Sequence, residues 1–572
     1  YKKYILNSSE HKLGDIWSIF LENIKERTLY NWEINGVPIL DPYALAYTGN
    51  KAIENKKSIV LARLGTETKH ILIPKKDMMI YETHIGLFTK SPNSNTLNRA
   101  TYSAFEEKIP YLKELGINVV EFLPIFEWDD YTGNLDRNSF FLKNVWGYNP
   151  INFFALTKKY SSSNDKNSTD EIKEFKKLVS SLHKNGIEVI LDVVYNHTAE
   201  GGSGGKVYNF KAMDENTFYT KSKNNIFVNF SGCGNTLNCN HKVVKDMIIQ
   251  SLLYWYLETG VDGFRFDLMG IHDIETMRQI REALDKIDPR ILTYGEGWDM
   301  GTGLLPLDKA KKDNAFELPN IGFFNDTERD AIKGAEVYGG LKAGFVSGQA
   351  TESIVAKAIL GSSELGTYLE PKQVVNYVEA HDNYNLHDLL AELHPDDDEL
   401  TRTKRIELAT AMNLLLQGMS FMELGQEFSR SKLVATGANG NTIQADHKRA
   451  MNSYNAPDVV NQVDWDLLAH HQESINYIKQ MIRLKTTTKE FSYQHYDDIY
   501  QHAFVHSAHS GSGIVIFEVK DDNYYLVIFN ASGDRYNIED IGNLKLVAGN
   551  SRQVSDSFVE DLTATVFEVV EW

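Results

Sequence analysis

Residues 261–270 of this chain read Val-Asp-Gly-Phe-Arg-Phe-Asp-Leu-Met-Gly. Large apolar residues flank Arg265, which predicts a short buried strand that ends at Asp267. Successive side chains of a strand point to opposite faces, so Arg265 and Asp267 share a face and act as counter-charges. A pair of this kind on its own is more often structural than catalytic. It indicates chemistry only if other parts of the chain bring partners to Asp267.

Length and composition limit the classes of protein to which the chain can belong. Its 572 residues predict about three or four domains. The net charge of -19 disfavours nucleic acid and anionic membranes as partners, so neither is expected. A neutral substrate is compatible with this charge. The 29 Tyr, 28 Phe and 8 Trp could supply flat surfaces for sugar rings, although most of them are expected in the core.

Cysteine content and hydropathy indicate the cellular compartment in which the protein is expected. Cys233 and Cys239 are the only cysteines, which excludes a disulfide framework and a four-cysteine zinc site. Whether these two pair is left open. No apolar run is long enough to span a bilayer and no signal peptide is visible, which favours the cytoplasm. The chain begins at Tyr1 without an initiator methionine, so secretion after removal of a leader stays an alternative. A monomer is expected.

The first 77 residues predict a small N-terminal β domain. Asn35-Gly36 is a hairpin turn signal between strand candidates at 29–34 and 37–40, and Pro42 ends the sheet. Further strand candidates lie at 4–6, 15–20 and 71–73.

Residues 489–572 return to short apolar strands and predict a C-terminal β-sandwich domain. The candidates lie at 514–517, 524–529, 545–547 and 564–569.

Between these flanks, residues 78–488 alternate strand candidates with helical stretches. Eight strand candidates occur, at 79–84, 119–124, 187–192, 263–267, 292–296, 322–325, 374–382 and 420–427. Repeated strand–helix units with apolar strands predict a parallel sheet, and eight of them predict an α/β fold of the (β/α)₈ TIM barrel type. Such barrels place their chemistry at the C-terminal ends of the strands.

Polar clusters follow four of the predicted strands. They are residues 192–197, 265–267, 295–298 and 379–383. A parallel barrel brings these strand ends to one mouth, where they place several carboxylates, two histidines and an arginine together. Two carboxyl groups in different environments give one acid and one nucleophile or base at neutral pH. Cleavage of a glycosidic bond needs such a pair on opposite sides of the bond.

These four clusters, in this order, resemble the signature regions of the α-amylase superfamily, glycoside hydrolase family 13. Within it the chain is similar to the type I pullulanases. Residues 146–150 (Trp-Gly-Tyr-Asn-Pro), 231–235 and 452–458 carry that likeness, which covers roughly residues 78–470. In addition, residues 41–44 resemble the end of a family-48 carbohydrate-binding module, in truncated or complete form.

The resemblance implies a role for each matching residue. Asp267 would be the nucleophile that forms a covalent glycosyl-enzyme, Glu296 the general acid and then the base, and Asp382 a ligand of the sugar hydroxyls. Asp192 would shape the site. Trp298 would stack on a neighbouring sugar, although a core position is equally compatible with the sequence. The substrate-binding positions implied are Tyr148, His197, Arg265, Trp298, His381 and Asn383.

The activity implied is hydrolysis of α-1,6-glucosidic branch linkages in pullulan, amylopectin or glycogen-derived dextrins. The anomeric configuration would be retained by double displacement, which places the two carboxyl groups about 5–5.5 Å apart. The alternatives are an amylase or branching enzyme acting on α-1,4 bonds, and a non-catalytic glucan-binding protein. No cofactor is expected to be required. The oxygen-rich loops are compatible with a structural Ca²⁺ ion, for which the sequence indicates no ligands.

Overall fold

A computed structural model gives the fold of residues 2–571. The structure describes this range apart from residues 15, 50–51, 64, 67, 72, 136–140, 337–339, 433, 437–441, 445–449 and 539–542.

The strands of the described residues are numbered β1 to β25 in chain order. They span Lys12–Leu13, Ile16–Trp17, Leu29–Tyr30, Trp32–Ile34, Val37–Ile39, Ser58–Ile59, Met79–Thr83, Val119–Phe122, Tyr131–Leu135, Phe141–Lys143, Glu188–Val193, Gly263–Phe266, Leu292–Gly295, Gly322–Phe324, Val374–Asn376, Met419–Glu423, Val434–Thr436, Thr442–Gln444, Ala503–Ser507, Ile514–Lys520, Tyr524–Asn530, Tyr536–Asn537, Asn543–Ala548, Phe558–Val559 and Thr563–Glu571.

The α-helices of the same residues lie mostly between the barrel strands. They span Ser8–His11, Ile85–Phe88, Tyr102–Glu106, Ile109–Leu115, Asp170–Lys184, Phe210–Phe218, Lys242–Tyr254, Ile274–Asp285, Asp326–Ile332, Glu352–Ile359, Leu386–Leu393, Glu399–Leu415, Asp458–Asn461, Leu467–His470, Gln472–Thr487 and Tyr496–His502.

The predicted TIM barrel is confirmed. Among the described residues, eight parallel strands close in the order β7-β8-β11-β12-β13-β14-β15-β16, and β16 pairs with β7. Each of these strands coincides with one of the eight strand candidates, although β15 ends at Asn376, well before the predicted end at 382. The register places Arg265 of β12 opposite Asp192 of β11 and Tyr294 of β13.

Side chains inside the barrel change from apolar to polar along the strands. Ile80, Val119 and Ile190 belong to one buried cluster with Phe324 and Phe421. A Cβ at Gly263 would lie 2.7 Å from Cδ1 of Ile190, so glycine makes room for this packing. Two residues further along the same strands, and therefore on the same face, stand the carboxylates of Glu82, Glu121 and Asp192. The interior thus carries an apolar lower part and a charged upper part.

β-Sheet regions flank the barrel on both sides. In the N-terminal part, β1–β2, β3–β6 and β4–β5 form two-stranded pairs among the described residues, and the predicted Asn35-Gly36 hairpin joins β4 to β5. In the C-terminal part, the described strands form a five-stranded sheet, β19-β20-β21-β25-β23, and the pair β22–β24. One face of this sheet joins the main core and the other packs on β24.

Two predicted strands of the N-terminal part are wrong. Residues 4–6 form no strand, and Ile5 is 81% exposed, because none of the described strands pairs with them. Residues 71 and 73 are also outside any strand, and residue 72 lies outside the described residues, as does the first residue of the 15–20 candidate. Cys233 and Cys239 are free thiols, which answers the question that the sequence left open.

The barrel interior makes a direct prediction about stability. Phe421 is fully buried, with its ring centroid 5.1 Å from that of Phe324. Phe421→Ala should lower the free energy of unfolding by about 3–5 kcal/mol, because it removes buried apolar surface and leaves a cavity. Urea denaturation followed by tryptophan fluorescence measures this loss.

Phe504→Ala is the matched control, since Phe504 lies on β19 with 48% of its surface exposed. Its effect should stay within about 0.5 kcal/mol. Equal losses for the two variants would contradict the packing described for the barrel interior.

Candidate active site

Arg265 lies at the centre of the upper, charged part of the barrel. It is 2% exposed, and its guanidinium contacts three carboxylates. Nη1 lies 3.0 Å from Asp192 Oδ2 and 3.3 Å from Asp267 Oδ1, and Nη2 lies 2.7 Å from Glu296 Oε1. Nε lies 3.9 Å from Oε1 of a fourth carboxylate, Glu121. One buried cation therefore joins acidic side chains from four neighbouring strands or strand ends.

Asp267 follows β12 directly and is held on two sides. Arg265 contacts Oδ1, and the buried Asn196 donates a hydrogen bond of 2.6 Å from Nδ2 to Oδ2. The Asp267 backbone NH bonds to the Val193 carbonyl at 3.1 Å, which continues the pairing with β11. Donors to both oxygens fix the orientation of the carboxylate and stabilise its negative charge. The prediction that Arg265 and Asp267 share a face is confirmed.

Glu296 follows β13 and stands beside Asp267 across the same guanidinium. Its second oxygen, Oε2, accepts a 2.9 Å hydrogen bond from the backbone NH of Leu268, which has a left-handed φ of 44°. Burial raises the pKa of Glu296, Arg265 opposes this shift, and the nearby charges of Asp267 and Asp382 add to it. The net shift is upward, so Glu296 keeps its proton to a higher pH than an exposed glutamate does.

The contacts of Gly270 explain why the stretch at residues 261–270 ends in a glycine. Its backbone NH donates to the Glu296 carbonyl at 3.0 Å. A Cβ at this position would lie 1.8 Å from the carbonyl oxygen of Trp298. Only a residue without a side chain allows the segment after β12 to pack directly on the segment after β13. This contact keeps Asp267 and Glu296 at a fixed spacing.

Asp192 and Glu121 surround Arg265 from the other side. Burial raises the pKa of Asp192 to about 7, although Arg265 opposes the shift, and the Tyr148 hydroxyl donates to its carboxylate. Burial, followed by the charge of Glu82, raises the pKa of Glu121, whose carboxylate accepts from the Tyr294 hydroxyl. These fully buried carboxyl groups position the guanidinium and have no exposure through which to meet a substrate.

His381 forms a buried pair with Glu82 at the end of β7. Its Nδ1 lies 2.6 Å from Glu82 Oε1, and its backbone NH donates to Glu82 Oε2 at 2.7 Å. Burial disfavours the charged imidazole, but Glu82 outweighs burial and raises the pKa of His381 to about 10. The ring stacks on Tyr148 at 5.0 Å between centroids, and Trp146 meets it edge-on at 4.8 Å.

His197 extends the same wall. Its Nε2 lies 3.1 Å from the Tyr148 carbonyl oxygen and its Nδ1 lies 2.6 Å from Asn196 Oδ1. Burial alone would lower the pKa of His197, but Cys233, Asp267 and the Tyr148 carbonyl raise it to about 9. Both ring nitrogens face oxygen acceptors, which suits a doubly protonated imidazolium.

The remaining predicted residues lie at the rim. Asp382 is exposed and accepts no hydrogen bond from any other residue that the structure describes. Asn383 is half-buried with a left-handed φ of 69°. Trp298 is partly buried and packs against the interior apolar cluster, which agrees with the core alternative for part of its surface. The structure thus brings all nine predicted site residues to the one end of the barrel.

Three residues at the active-site end of the barrel were not predicted as site residues from the sequence. Glu82 holds His381, Asn196 holds Asp267, and Lys432 donates from Nζ to the carbonyls of His381 and Asn383 at 2.9 and 2.7 Å. The signal for Glu82 was a carboxylate inside an otherwise apolar strand. Asn196 lies within the polar cluster at residues 192–197, whereas no local pattern distinguishes Lys432 from a surface lysine.

The described residues were also compared with what a metal site and a membrane-spanning helix require. Across the described ranges, no group of three or more His, Cys, Asp or Glu side chains is arranged to hold a metal ion. The Ca²⁺ ion allowed by the sequence therefore stays a prediction without ligands. None of the helices described above combines the length and the apolar character needed to cross a bilayer.

Comparison with known proteins places this geometry in a family. The family profile described as "Alpha amylase, catalytic domain" matches residues 88–229. A pullulanase of Bacillus subtilis (strain 168) is 35% identical over 483 residues, which are 81% of this chain and 63% of that protein. The chloroplastic isoamylase 3 of Oryza sativa subsp. japonica is 34% identical over 435 residues, or 68% of this chain and 53% of the relative. The chain therefore spans less than two thirds of these two relatives.

Solved structures agree over nearly the whole chain. The pullulanase of Anoxybacillus sp. LM18-11 in complex with maltotetraose has a TM-score of 0.81 at 31% identity, with 94% of this chain and 78% of that one covered. The pullulanase of Paenibacillus barengoltzii in complex with maltohexaose and α-cyclodextrin has a TM-score of 0.82 at 31% identity, with 93% and 84% covered. This protein belongs to the α-amylase family, glycoside hydrolase family 13, and its relatives there are pullulanases and isoamylases.

Proposed function

We propose that this protein is a retaining glycoside hydrolase that cleaves α-1,6-glucosidic branch linkages in pullulan, amylopectin or glycogen-derived dextrins. The observation that carries the proposal is the shared contact of Asp267 and Glu296 with the Arg265 guanidinium at the mouth of the barrel. The two carboxyl groups stand side by side in different environments, which suits one nucleophile and one acid.

In the first step, Asp267 attacks the anomeric carbon of the sugar on the non-reducing side of the bond. Glu296 gives its proton to the glycosidic oxygen, which leaves as the hydroxyl of the released chain. In the second step, Glu296, now a carboxylate, takes a proton from water, and the oxygen of that water displaces Asp267 from the anomeric carbon. Two inversions at the same carbon retain its configuration.

The wall of the site holds the sugar for this attack. Tyr148 offers its ring face, and Nε2 of the His381 imidazolium donates a hydrogen bond to a sugar hydroxyl. His197 binds the Tyr148 carbonyl and Asn196 through its two ring nitrogens and so holds this wall in position. Asp382 has an exposed carboxylate that accepts from further hydroxyls of the same ring. Such contacts can favour a distorted ring, which resembles the oxocarbenium-like transition state.

The choice of linkage rests on the relatives. The proteins similar to this chain are named pullulanases and isoamylases, and solved pullulanases of the same fold bind maltotetraose and maltohexaose. We therefore propose an α-glucan as substrate and partner. The reaction uses protein side chains and water, so we propose that it needs no cofactor and that a monomer performs it.

Pullulan and linear amylose separate the proposed activity from its alternatives. With pullulan the expected main product is maltotriose, because its maltotriose units are joined by α-1,6 bonds, and amylose should remain largely intact. Chromatography of the products measures this. Shortening of amylose with pullulan left intact would contradict the proposed linkage, and no cleavage of either would favour a glucan-binding protein.

Glu296→Gln is the catalytic control for this experiment. It should lower kcat on pullulan by about 10²–10⁴-fold, because the amide has no proton to give. Glu282→Gln makes the same chemical change at an exposed position of helix 274–285 and should leave kcat unchanged. Full activity of Glu296→Gln would contradict the proposed mechanism, in which Glu296 is the proton donor.

The pH dependence of kcat/KM follows from the raised pKa of Glu296. A raised pKa means that the carboxyl group keeps its proton above its ordinary value of 4.5. Activity should therefore persist above that pH and fall as the pH rises through the pKa of Glu296 in the folded enzyme. The residual activity of Glu296→Gln should lack this alkaline fall. The same fall in both enzymes would assign it to another group.

A further inference from the structure

A cavity of about 350 Å³ lies at the opposite end of the barrel from the active site. It is lined by residues that precede barrel strands: residues 70–71 and 73–75 before β7, Asp262 before β12 and residues 288–291 before β13. Glu188, the first residue of β11, lines it as well. The proposed hydrolysis uses none of these residues. The volume falls at the lower end of the range of about 300–1,000 Å³ that is typical of ligand pockets.

Three cationic side chains line this cavity: Lys75, Arg290 and Lys372. Arg290 pairs with Asp288, and Lys372 pairs with Glu370. The side chain of the half-buried Lys75, in contrast, makes no hydrogen bond or ion pair to any residue of the described chain. Burial, followed by repulsion from Arg281 and Lys372, lowers the pKa of Lys75 to about 8. Among the residues that the structure describes, no acidic side chain forms an ion pair with this cation, and Asp285 and Glu188 act on it only from a distance.

The carboxylates of the cavity do not pair with Lys75. Asp262 accepts from His70 Nδ1 at 2.8 Å, from His183 Nε2 at 2.7 Å and from the Val189 NH at 2.8 Å. Asp288 is occupied by Arg290. Each of these two acids is thus satisfied by partners other than Lys75.

Glu188 contributes little negative charge. It is 4% exposed, and its Oε1 accepts from the Ile73 NH at 2.8 Å. Burial, followed by the charge of Asp262, raises the pKa of Glu188 to about 8. At neutral pH the group is therefore mostly a neutral carboxyl, which can donate a hydrogen bond to an anion or a hydroxyl.

We propose that this cavity binds a small molecule with a phosphate group, of the size of a phosphorylated monosaccharide. Lys75 would pair with the phosphate, and the paired side chains of Arg290 and Lys372 would line the cavity beside it. Lysine and arginine are the side chains that bind phosphate in proteins. Asn320, which also lines the cavity, suits the hydroxyls of a sugar.

Two other ligand classes fit the cavity less well. A divalent cation would be repelled by the unpaired ammonium group of Lys75. In addition, the described part of the chain has no group of three or more His, Cys, Asp or Glu side chains arranged to hold a metal ion, at this cavity or elsewhere. A glucan chain is neutral and would leave Lys75 without a counter-charge. The chemistry of the cavity therefore favours an anion.

Bound ligand should stabilise the fold, since the cavity joins segments that are distant in sequence. Residues 73–75 lead from the N-terminal β region into β7, whereas residues 288–291 connect helix 274–285 to β13. A molecule that contacts both ties the start of the barrel to its centre. A ligand that binds only the folded state raises the melting temperature by mass action.

Thermal unfolding and isothermal titration calorimetry of the full chain test the proposal. The probes are glucose 6-phosphate, inorganic phosphate and glucose at constant ionic strength. We expect glucose 6-phosphate to raise the melting temperature in a concentration-dependent manner, and glucose to have no effect. An effect of inorganic phosphate of equal size would assign the site to the phosphate group alone; a smaller one would show that the sugar contributes.

Lys75→Met should weaken the binding of glucose 6-phosphate at least tenfold, whereas Lys75→Arg should retain it. Lys76→Met is the matched control, because Lys76 lies in the same turn but pairs with Asp77 at 2.6 Å. Binding that is absent in the wild type at 10 mM (on the order of the weakest affinity that would matter), unchanged in Lys75→Met, or equally lost in Lys76→Met would overturn the proposal. The readout is independent of hydrolysis, so the proposed activity can fail without affecting it.

Discussion

The Arg265 guanidinium is the contact on which the upper half of the barrel depends. It is buried among four carboxylates that arrive on β8, on β11 and at the ends of β12 and β13. Moving one cation and several anions out of water costs more than their pairwise attraction returns unless hydrogen bonds complete the network. Asn196, Tyr148, Tyr294 and the Leu268 NH supply such bonds. The barrel closes around this network with its apolar layers below.

The network also separates the two reacting carboxyl groups. Arg265 and Asn196 hold the two oxygens of Asp267 in a fixed orientation, and burial together with two negative neighbours raises the pKa of Glu296. One arginine thus contacts both the proposed nucleophile, Asp267, and the proposed acid, Glu296. Its position two residues before Asp267 on a strand follows from the alternation of side chains, and its closeness to Glu296 follows from the pairing of β12 with β13.

Much of this arrangement could be predicted from the sequence. The eight barrel strands have strong local signals, because apolar runs bounded by glycine and polar residues identify buried parallel strands. The four polar clusters could be placed at one mouth because strand order in a (β/α)₈ barrel follows chain order. Asp267, Glu296, His381 and Asp382 are all found there. The strand candidate at residues 4–6 failed because apolar residues form a strand only where another strand pairs with them.

Contacts between distant parts of the chain could not be predicted. Glu82 and His381 are 299 residues apart, and the pairing of β15 with β16 and of β16 with β7 brings the ends of β15 and β7 to the same mouth. Lys432 reaches its two carbonyls from a loop beyond β16, so its position depends on tertiary packing. The unpaired Lys75 likewise becomes visible only once the cavity below the barrel is formed.

The stereochemistry of the first product tests the role of Arg265, Asp267 and Glu296 most directly. Proton NMR can follow a branched maltooligosaccharide immediately after enzyme is added, before the released reducing end mutarotates. Double displacement through Asp267 predicts that the newly formed reducing end appears first as the α-anomer. Initial appearance of the β-anomer would mean a single displacement by water and would contradict the account.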